Sequence, residues 1–193
     1  MEPIVLASAS PRRVEILNQL GLDFQAIPSN ITEVIPKSFV APEDLVIKLA
    51  LHKASNVASK LGRGLVIGAD TLVVFGDTIF GKPLNQDEAV KMLATLSGKF
   101  HSVYTGIALI QVSTGRIETG FAETKVKFRP VSLEEIQSYV ATGEPLDKAG
   151  AYGIQGKGGV LVEGIEGCYF NVVGLPLSKL VEMLQKFQVS IWQ

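Results

Sequence analysis

The sequence predicts an α/β protein with a mixed sheet flanked by helices. Its first half alternates strand and helix patterns, which is typical of parallel strands joined by helices. A nearly continuous apolar run over Leu65–Phe75 is typical of a central strand that is buried on both faces. Two further strand patterns, Phe100–Val112 and Ile117–Phe128, flank the turn residues Ser113-Thr114-Gly115 and predict a hairpin.

The first predicted elements are a short strand at Val5–Ala7, a helix that ends at Gly21 and a short strand at Phe24–Pro28. Ser10 stands where a helix N-cap belongs, and Pro11 stands where the first helical residue belongs. The turn before this helix therefore leads directly from a strand into a helix N-terminus.

The later helices begin at recognisable caps. The segment Asn85-Gln86-Asp87-Glu88 predicts a capping box and a helix to about Leu96. Ser132-Leu133-Glu134-Glu135 predicts a second capping box and a helix to about Ala141. The remaining predicted elements are a helix from Glu43 to about Leu61, a short strand at Val160–Val162 and a helix from Pro176 to about Phe187.

The composition predicts one globular domain over residues 1–193, since 47% of the residues are hydrophobic and 19% are charged. Without a membrane-length apolar run or a secretory signal pattern, we expect a cytoplasmic protein with no membrane partner. The single Cys168 excludes an internal disulfide and indicates a reducing compartment. The net charge of −1, with scattered Lys and Arg, disfavours nucleic acid as a partner but allows a small anionic ligand.

The turn Ser8-Ala9-Ser10-Pro11-Arg12-Arg13 carries two hydroxyl groups and two guanidinium groups. Free N–H groups and guanidinium forks converge at such a strand-to-helix turn, which favours the binding of an anion. Arginine also presents two parallel donors to a phosphate. Alternatively, both arginines lie on a solvated face of the helix, and this segment alone does not decide between the two interpretations.

Two charged residues fall in apolar surroundings. Asp70 lies inside the run Leu65–Phe75, where a carboxylate is costly unless it is paired, hydrogen-bonded or bound to a metal. An ion pair with a lysine would explain it, but the pattern favours a functional site, with Gly68 permitting either a bulge or close approach by a ligand. Lys53 lies on the apolar stripe of its helix, where it either extends its ammonium group to water or contacts a phosphate.

The glycine-rich segment Ala149–Gly156 lacks the spacing of a P-loop. The amide of Gln155 could contact a base edge or close a turn, and Tyr152 could stack on a base or pack in the core. Glu144, just before this segment, could cap a local turn.

No motif for zinc or for a serine nucleophile occurs in the sequence, and His52 and His101 share no metal-ligand spacing. We therefore expect any metal to be a hard, oxygen-bound ion, with Mg²⁺ held by carboxylates and substrate phosphates as the best match.

The turn at Ser8–Arg13 and the segment Gly143-Glu144-Pro145-Leu146-Asp147-Lys148-Ala149-Gly150, with Tyr152-Gly153-Ile154-Gln155-Gly156, resemble signatures of the Maf family. Further segments resemble the family in the same order: Gly68-Ala69-Asp70-Thr71, Gly81-Lys82-Pro83, Leu96-Ser97-Gly98, Tyr104-Thr105-Gly106 and Asn171-Val172-Val173-Gly174-Leu175-Pro176. The family comprises nucleoside triphosphate pyrophosphatases, also called septum formation inhibitor Maf-like proteins. The resemblance covers nearly the whole chain.

The resemblance implies an inosine-triphosphatase-like fold, with an elongated twisted sheet and two lobes around a cleft. It also implies a homodimer that uses Mg²⁺, or another divalent cation such as Mn²⁺, to hydrolyse dTTP, UTP and modified pyrimidine nucleotides to the monophosphate and pyrophosphate. Such an activity would prevent incorporation of modified nucleotides. The alternatives are a 7-methyl-GTP pyrophosphatase and a non-catalytic nucleotide-binding inhibitor of septum formation.

The resemblance also implies roles for individual residues. Asp70 matches the position of the family's proton acceptor. Glu33, in a polar loop, matches a position at the metal, and Asp70 is a second candidate metal ligand. Positions that bind phosphate or line the catalytic site match Ser8, Ser10, Arg12, Arg13, Lys53 and Lys82. Positions linked to base selection match Arg12, Thr71 and Gln155. Cys168 stands where the family usually carries an acidic residue.

Overall fold

The computed structural model describes residues 2–31 and 41–192 of the chain. Its strands are β1 (Ile4–Leu6), β2 (Phe24–Ala26), β3 (Leu65–Phe75), β4 (Thr78–Phe80), β5 (Phe100–Gln111), β6 (Arg116–Phe128) and β7 (Val162–Glu166). Its α-helices are α1 (Pro11–Gln19), α2 (Pro42–Ala58), α3 (Gln86–Leu96), α4 (Leu133–Ala141), α5 (Tyr169–Val173) and α6 (Leu177–Gln185). Short 3₁₀ helices at Glu144–Asp147, Ala149–Ala151 and Lys157–Leu161 lie between α4 and β7.

The strands form one seven-stranded sheet in the order β2-β1-β3-β5-β6-β7, with β4 paired to β3. β1 runs parallel to β2 and to β3, whereas β3–β4 and β6–β7 are antiparallel pairs. A turn at residues 112–115 joins the neighbouring strands β5 and β6, a connection short enough only for an antiparallel hairpin. The predicted mixed α/β class and the predicted hairpin are therefore confirmed.

The chain divides into two compact units. The first unit comprises Met1–Asp70, Thr105–Ala122 and Gly174–Gln193, and the second unit comprises Thr71–Tyr104 and Glu123–Val173. The boundary thus falls within β3, β5 and β6, and each of these strands contributes residues to both units.

The core of the first unit forms where α2 packs on the sheet. Small side chains dominate this contact, with Ala50 and Ala54 of α2 buried against Ala7 of the segment after β1 and Ala108 of β5. Because these side chains are small, the backbone of α2 lies close to the strands beneath it. Longer side chains on the same face of α2 therefore reach the sheet.

The core of the second unit surrounds α3 and α4. Phe128, Tyr139 and Tyr152 supply its aromatic side chains, and His101 packs edge-on against both Phe128 and Tyr152. The predicted capping box at Ser132 is complete, because each partner's side chain accepts the other's backbone N–H. The predicted box at Asn85 forms only in half, since the Glu88 carboxylate accepts the N–H of Leu84 instead.

The prediction of a strand at Val160–Val162 is wrong. Residues Lys157–Leu161 form a 3₁₀ helix, and the strand begins only at Val162. The reason is a local contact, because the backbone N–H of Val162 donates to the carbonyl of Gly159 and closes a 3₁₀ turn over Val160 and Leu161.

Within the described part of the chain, no helix has both the length and the apolar character needed to cross a membrane.

Candidate active site

Parallel pairing of β1 with β3 places two candidate segments beyond the carboxyl end of β1, the shorter of the two strands. Leu6 pairs with Ile67, and the N–H of Ala7 donates to the Ile67 carbonyl at 2.7 Å. Ser8 follows directly after Ala7, and Asp70 lies three residues beyond Ile67. Ligands of α/β proteins commonly bind beyond the carboxyl ends of parallel strands, so this end of the first unit is the candidate active site.

The turn before α1 is organised around the hydroxyl of Ser8. The backbone N–H of Ser10 donates to Ser8 Oγ at 3.1 Å, and Nη1 of Arg13 donates to the same oxygen at 3.4 Å. Arg13 is buried, and its Nε donates to the carbonyl of Gly174 at 2.8 Å, whereas Arg12 is half-exposed. The interpretation of both arginines as solvated is therefore wrong for Arg13. Ser10 occupies the predicted N-cap position, but its side chain makes no capping hydrogen bond.

The central feature of the site is an ion pair between Lys53 of α2 and Asp70 of β3. Nζ of Lys53 bonds to Oδ1 of Asp70, and the two residues are only 8% and 3% exposed. Extension of the lysine to water is therefore excluded, and the Asp70 carboxylate is held by a cation inside the protein. Such a pair meets the requirement that a buried charge be compensated.

Gly68 makes this pairing possible. A Cβ atom at this position would lie 2.3 Å from the carbonyl oxygen of Ala50 and 2.8 Å from the backbone nitrogen of Ala54. The expectation that Gly68 admits a ligand is wrong, because the backbone of α2 already occupies that space. Lys53 directly precedes Ala54 and Asp70 follows two residues after Gly68, so the same close contact brings the ammonium group to the carboxylate.

Three of the other predicted site residues lie in the second unit. Thr71 is half-buried on β3, Lys82 is exposed in the segment after β4, and Gln155 is exposed in a turn. Gly150 links their segments within the second unit, because its N–H donates to the carbonyl of Gly81 at 3.1 Å and Val73 packs on it. Glu33 lies outside the described residues.

Tyr152 packs in the core of the second unit, so it does not provide a stacking surface for a base. Its hydroxyl shares a hydrogen bond of 2.8 Å with Nε2 of His101, and its ring meets that of Phe128 edge-on. Burial raises the pKa of Tyr152. Burial also lowers the pKa of His101 to about 4, so the imidazole is neutral at physiological pH.

Of the predicted metal ligands, the described residues include only Asp70. In residues 2–31 and 41–192, no cluster of three or more His, Cys, Asp or Glu side chains is placed to hold a metal ion. A carboxylate is nevertheless a hard oxygen donor, and Mg²⁺ is commonly held by one or two carboxylates together with substrate phosphates and water. The donor chemistry of Asp70 therefore fits Mg²⁺.

The second unit also contains a surface pocket of about 450 Å³. Phe75, Phe100, Tyr104 and Lys125 contribute to its lining. Since it includes none of the predicted site residues, we do not assign the reaction to it.

Sequence reasoning missed two supporting groups. The Gly174 carbonyl accepts a hydrogen bond from Arg13 across 161 residues of chain. Glu144, considered above only as a local cap, binds backbone groups 13 and 14 residues further along the chain. Local patterns carry no signal for either contact, because both are made across the fold.

The fold and the site define an α/β protein with a buried lysine–aspartate pair on its central strand β3 and an arginine-bearing turn directly after the neighbouring parallel strand β1. Residues 3–187 match the model of the Maf family, described as Maf-like protein, and the chain belongs to this family. A dTTP/UTP pyrophosphatase of Desulforamulus reducens is 50% identical over 191 residues, which cover 99% of this chain and 100% of that protein. A dTTP/UTP pyrophosphatase of Moorella thermoacetica is 53% identical over 192 residues, which cover 100% and 98%.

Solved structures show more distant similarity. The nucleoside-triphosphatase / dITP/XTP pyrophosphatase of Mycobacterium abscessus superposes with a TM-score of 0.42 at 14% identity, over 67% of this chain and 75% of that one.

Proposed function

We propose that this protein is a nucleoside triphosphate pyrophosphatase that hydrolyses dTTP and UTP to the monophosphate and pyrophosphate. The observation that carries the proposal is the buried Lys53–Asp70 pair, whose aspartate lies on β3 just past the segment that pairs with β1, while the turn of Ser8 and Arg13 follows β1 itself. The choice of substrate is supported by relatives that are named dTTP/UTP pyrophosphatases and are 50% and 53% identical over almost the full length of both chains.

In the proposed reaction, water adds across the anhydride between the α and β phosphates. A bond forms between the water oxygen and the attacked phosphorus, the bridging phosphorus–oxygen bond breaks, and pyrophosphate leaves with that electron pair. The water must lose a proton as it attacks, and we assign the Asp70 carboxylate as the acceptor. The ammonium of Lys53 holds this carboxylate in place and balances its negative charge inside the protein.

Binding of the triphosphate is assigned to the hydroxyl and cationic groups of the site. Ser8 and Ser10 belong to a turn that leads into a helix N-terminus, where backbone dipoles favour an anion. Arg12 is half-exposed and can present its guanidinium fork to a phosphate, while buried Arg13 fixes the turn from within. We assign the exposed ammonium of Lys82 to the same substrate.

We propose Mg²⁺ as the cofactor, with Mn²⁺ as a substitute that takes the same oxygen ligands. Asp70 and Glu33 would hold the ion together with the phosphates of the substrate. When bound, the ion supplies positive charge that stabilises the charge developing at the attacked phosphorus.

Base selection is assigned to Arg12, Thr71 and Gln155. The side-chain amide of Gln155 carries both donors and an acceptor, which match the N3–H donor and O4 acceptor of uracil and thymine. We further propose a cytoplasmic homodimer that removes modified pyrimidine nucleotides from the free pool. Light scattering of the purified protein tests the dimer directly.

Pyrophosphate release with Mg²⁺, measured across dTTP, UTP, CTP, GTP, ITP and 7-methyl-GTP, tests the proposed function. We expect turnover centred on dTTP and UTP. Turnover of 7-methyl-GTP alone would support the proposed pyrophosphatase reaction but overturn the assignment of Thr71 and Gln155 to the selection of a pyrimidine base. Binding of nucleotides without any turnover would instead support the non-catalytic inhibitor.

A further inference from the structure

Gln155 is held in a tight turn of the second unit. The backbone N–H of Gly156 donates to the carbonyl of Gly153 at 3.3 Å, which closes a four-residue turn with Gln155 in its third position. Gln155 is exposed, whereas Tyr152 just before the turn is buried. The exposed side-chain amide of Gln155 is therefore carried by a backbone turn that is closed by a hydrogen bond and follows a buried residue.

The Glu144 carboxylate anchors the chain that leaves this turn. Its Oε2 accepts the N–H of Lys157 at 3.0 Å, and its Oε1 accepts the N–H of Gly158 at 3.0 Å. Oε1 also accepts the hydroxyl of Tyr139 at 3.0 Å, and that hydroxyl in turn accepts the N–H of Gly153 at 3.3 Å. One carboxylate–hydroxyl pair thus binds the backbone on both sides of the turn.

The turn lies directly against this carboxylate. A Cβ atom on Gly156 would lie 2.5 Å from Oε1 of Glu144, so any other residue here would push the carboxylate out of this position. Burial alone would raise the pKa of Glu144, but the N–H groups of Gly158 and Lys157 and the Tyr139 hydroxyl lower the pKa below its usual value. Glu144 is therefore charged at neutral pH and accepts all three of these hydrogen bonds.

We propose that Glu144 and Tyr139 are positioning residues that set base discrimination by fixing the turn that presents Gln155. This inference rests on the proposed function, since it takes Gln155 as the residue that contacts the base. Discrimination between UTP and CTP depends on the direction of the amide, because cytosine carries a donor at position 4 where uracil carries an acceptor. If the turn is no longer held by Glu144, the side-chain amide of Gln155 can rotate and form hydrogen bonds with uracil or with cytosine.

The test compares the ratio of kcat/KM for UTP to kcat/KM for CTP in the wild type and in four variants. Glu144→Gln keeps the size of the side chain, but its NH₂ group cannot accept a hydrogen bond from the backbone. Tyr139→Phe is a milder second variant that removes only the hydroxyl. Gln155→Ala removes the proposed base contact, and Glu134→Gln, which changes an exposed acid of α4, is the matched control.

We expect Glu144→Gln and Tyr139→Phe to lower the UTP-to-CTP ratio at least about tenfold, toward that of Gln155→Ala, with Glu134→Gln unchanged. The double variant Glu144→Gln/Gln155→Ala should discriminate no worse than Gln155→Ala alone, because both changes act through one contact. Equal losses for UTP and CTP in the Glu144 and Tyr139 variants would overturn the inference.

The same data separate this inference from the proposed function. If the wild type releases no pyrophosphate from any nucleotide, the proposed function fails and the inference fails with it. If the wild type is active and Gln155→Ala lowers the ratio while Glu144→Gln and Tyr139→Phe leave it unchanged, only the positioning role is overturned.

Discussion

The ammonium group of Lys53 on α2 pairs with the carboxylate of Asp70 on β3 inside the first unit. The two residues are 17 positions apart in the sequence and lie on different elements. Their pairing depends on how closely α2 approaches the sheet, and Gly68 sets that distance. Packing and chemistry are therefore linked at one place in the fold.

Removal of the lysine charge alone should destabilise the protein. Lys53→Met leaves the buried Asp70 carboxylate without this counter-charge, and we expect a loss of about 3–5 kcal/mol in the free energy of unfolding. The double variant Lys53→Met/Asp70→Leu should recover most of this loss while remaining inactive. Urea unfolding measures both, with Lys48→Met on the exposed face of α2 as the control. If Lys53→Met had the same free energy of unfolding as Lys48→Met, the Lys53–Asp70 pair would not contribute this stability.

A methyl group at Gly68 should separate α2 from the sheet. Gly68→Ala would place a carbon atom 2.3 Å from a backbone oxygen of α2, and we expect a destabilisation of about 1–3 kcal/mol or more together with a loss of activity. Gly62→Ala is the matched control, since a Cβ atom there meets nothing within 4 Å. Equal unfolding midpoints for these two variants would contradict the close contact at Gly68.

Protonation of His101 should destabilise the protein in mild acid. The fold holds the pKa of His101 at about 4, below its usual 6.5, so between these pH values the unfolded chain binds a proton that the folded protein excludes. Stability therefore falls as the pH is lowered from 6.5 toward 4, by about 3 kcal/mol for this residue.

Urea unfolding of the wild type and of His101→Gln, at neutral pH and near pH 4, measures this loss of stability and its direction. The variant should lose less stability on acidification than the wild type by that amount. His52→Gln, which changes an exposed histidine of α2, is the control and should behave like the wild type. Identical pH dependence in wild type and His101→Gln would contradict the burial of a neutral imidazole.

Removal of divalent metal should stop turnover of dTTP without unfolding the protein. The described residues include no metal cluster of their own, so we expect the ion to bind mainly with the substrate and to contribute little to stability. Activity should vanish with EDTA and return with Mg²⁺ or Mn²⁺, while the thermal midpoint of the free protein stays unchanged. Full activity in EDTA would exclude the proposed role of Mg²⁺.

The sequence predicted those features whose signals are local. A carboxylate inside an apolar run singled out Asp70, and hydroxyl and guanidinium groups at a strand-to-helix turn singled out Ser8–Arg13. Both lie past the last residue pair of the parallel strands β1 and β3, Asp70 within β3 and the turn directly after β1.

Features that depend on contacts between distant segments were not predictable in this way. Periodicity placed Lys53 on the apolar face of its helix but could not tell a phosphate contact from extension into water or from a pair with Asp70. The role of Gly68 was misassigned because a glycine shows only that something lies close, not whether it is a ligand or a helix. The strand expected at Val160–Val162 was wrong because the N–H of Val162 closes a 3₁₀ turn onto Gly159, and the apolar pattern of these residues carries no signal for that turn.

The most direct test of the account is pyrophosphate release from dTTP by Asp70→Asn, compared with the wild type and with Asp77→Asn in the exposed turn after β3. We expect Asp70→Asn to lose about 10²-fold to 10⁴-fold in kcat while its circular dichroism spectrum stays native and Asp77→Asn remains fully active. A folded Asp70→Asn variant with wild-type turnover would contradict the central claim that this buried carboxylate accepts the proton of the attacking water.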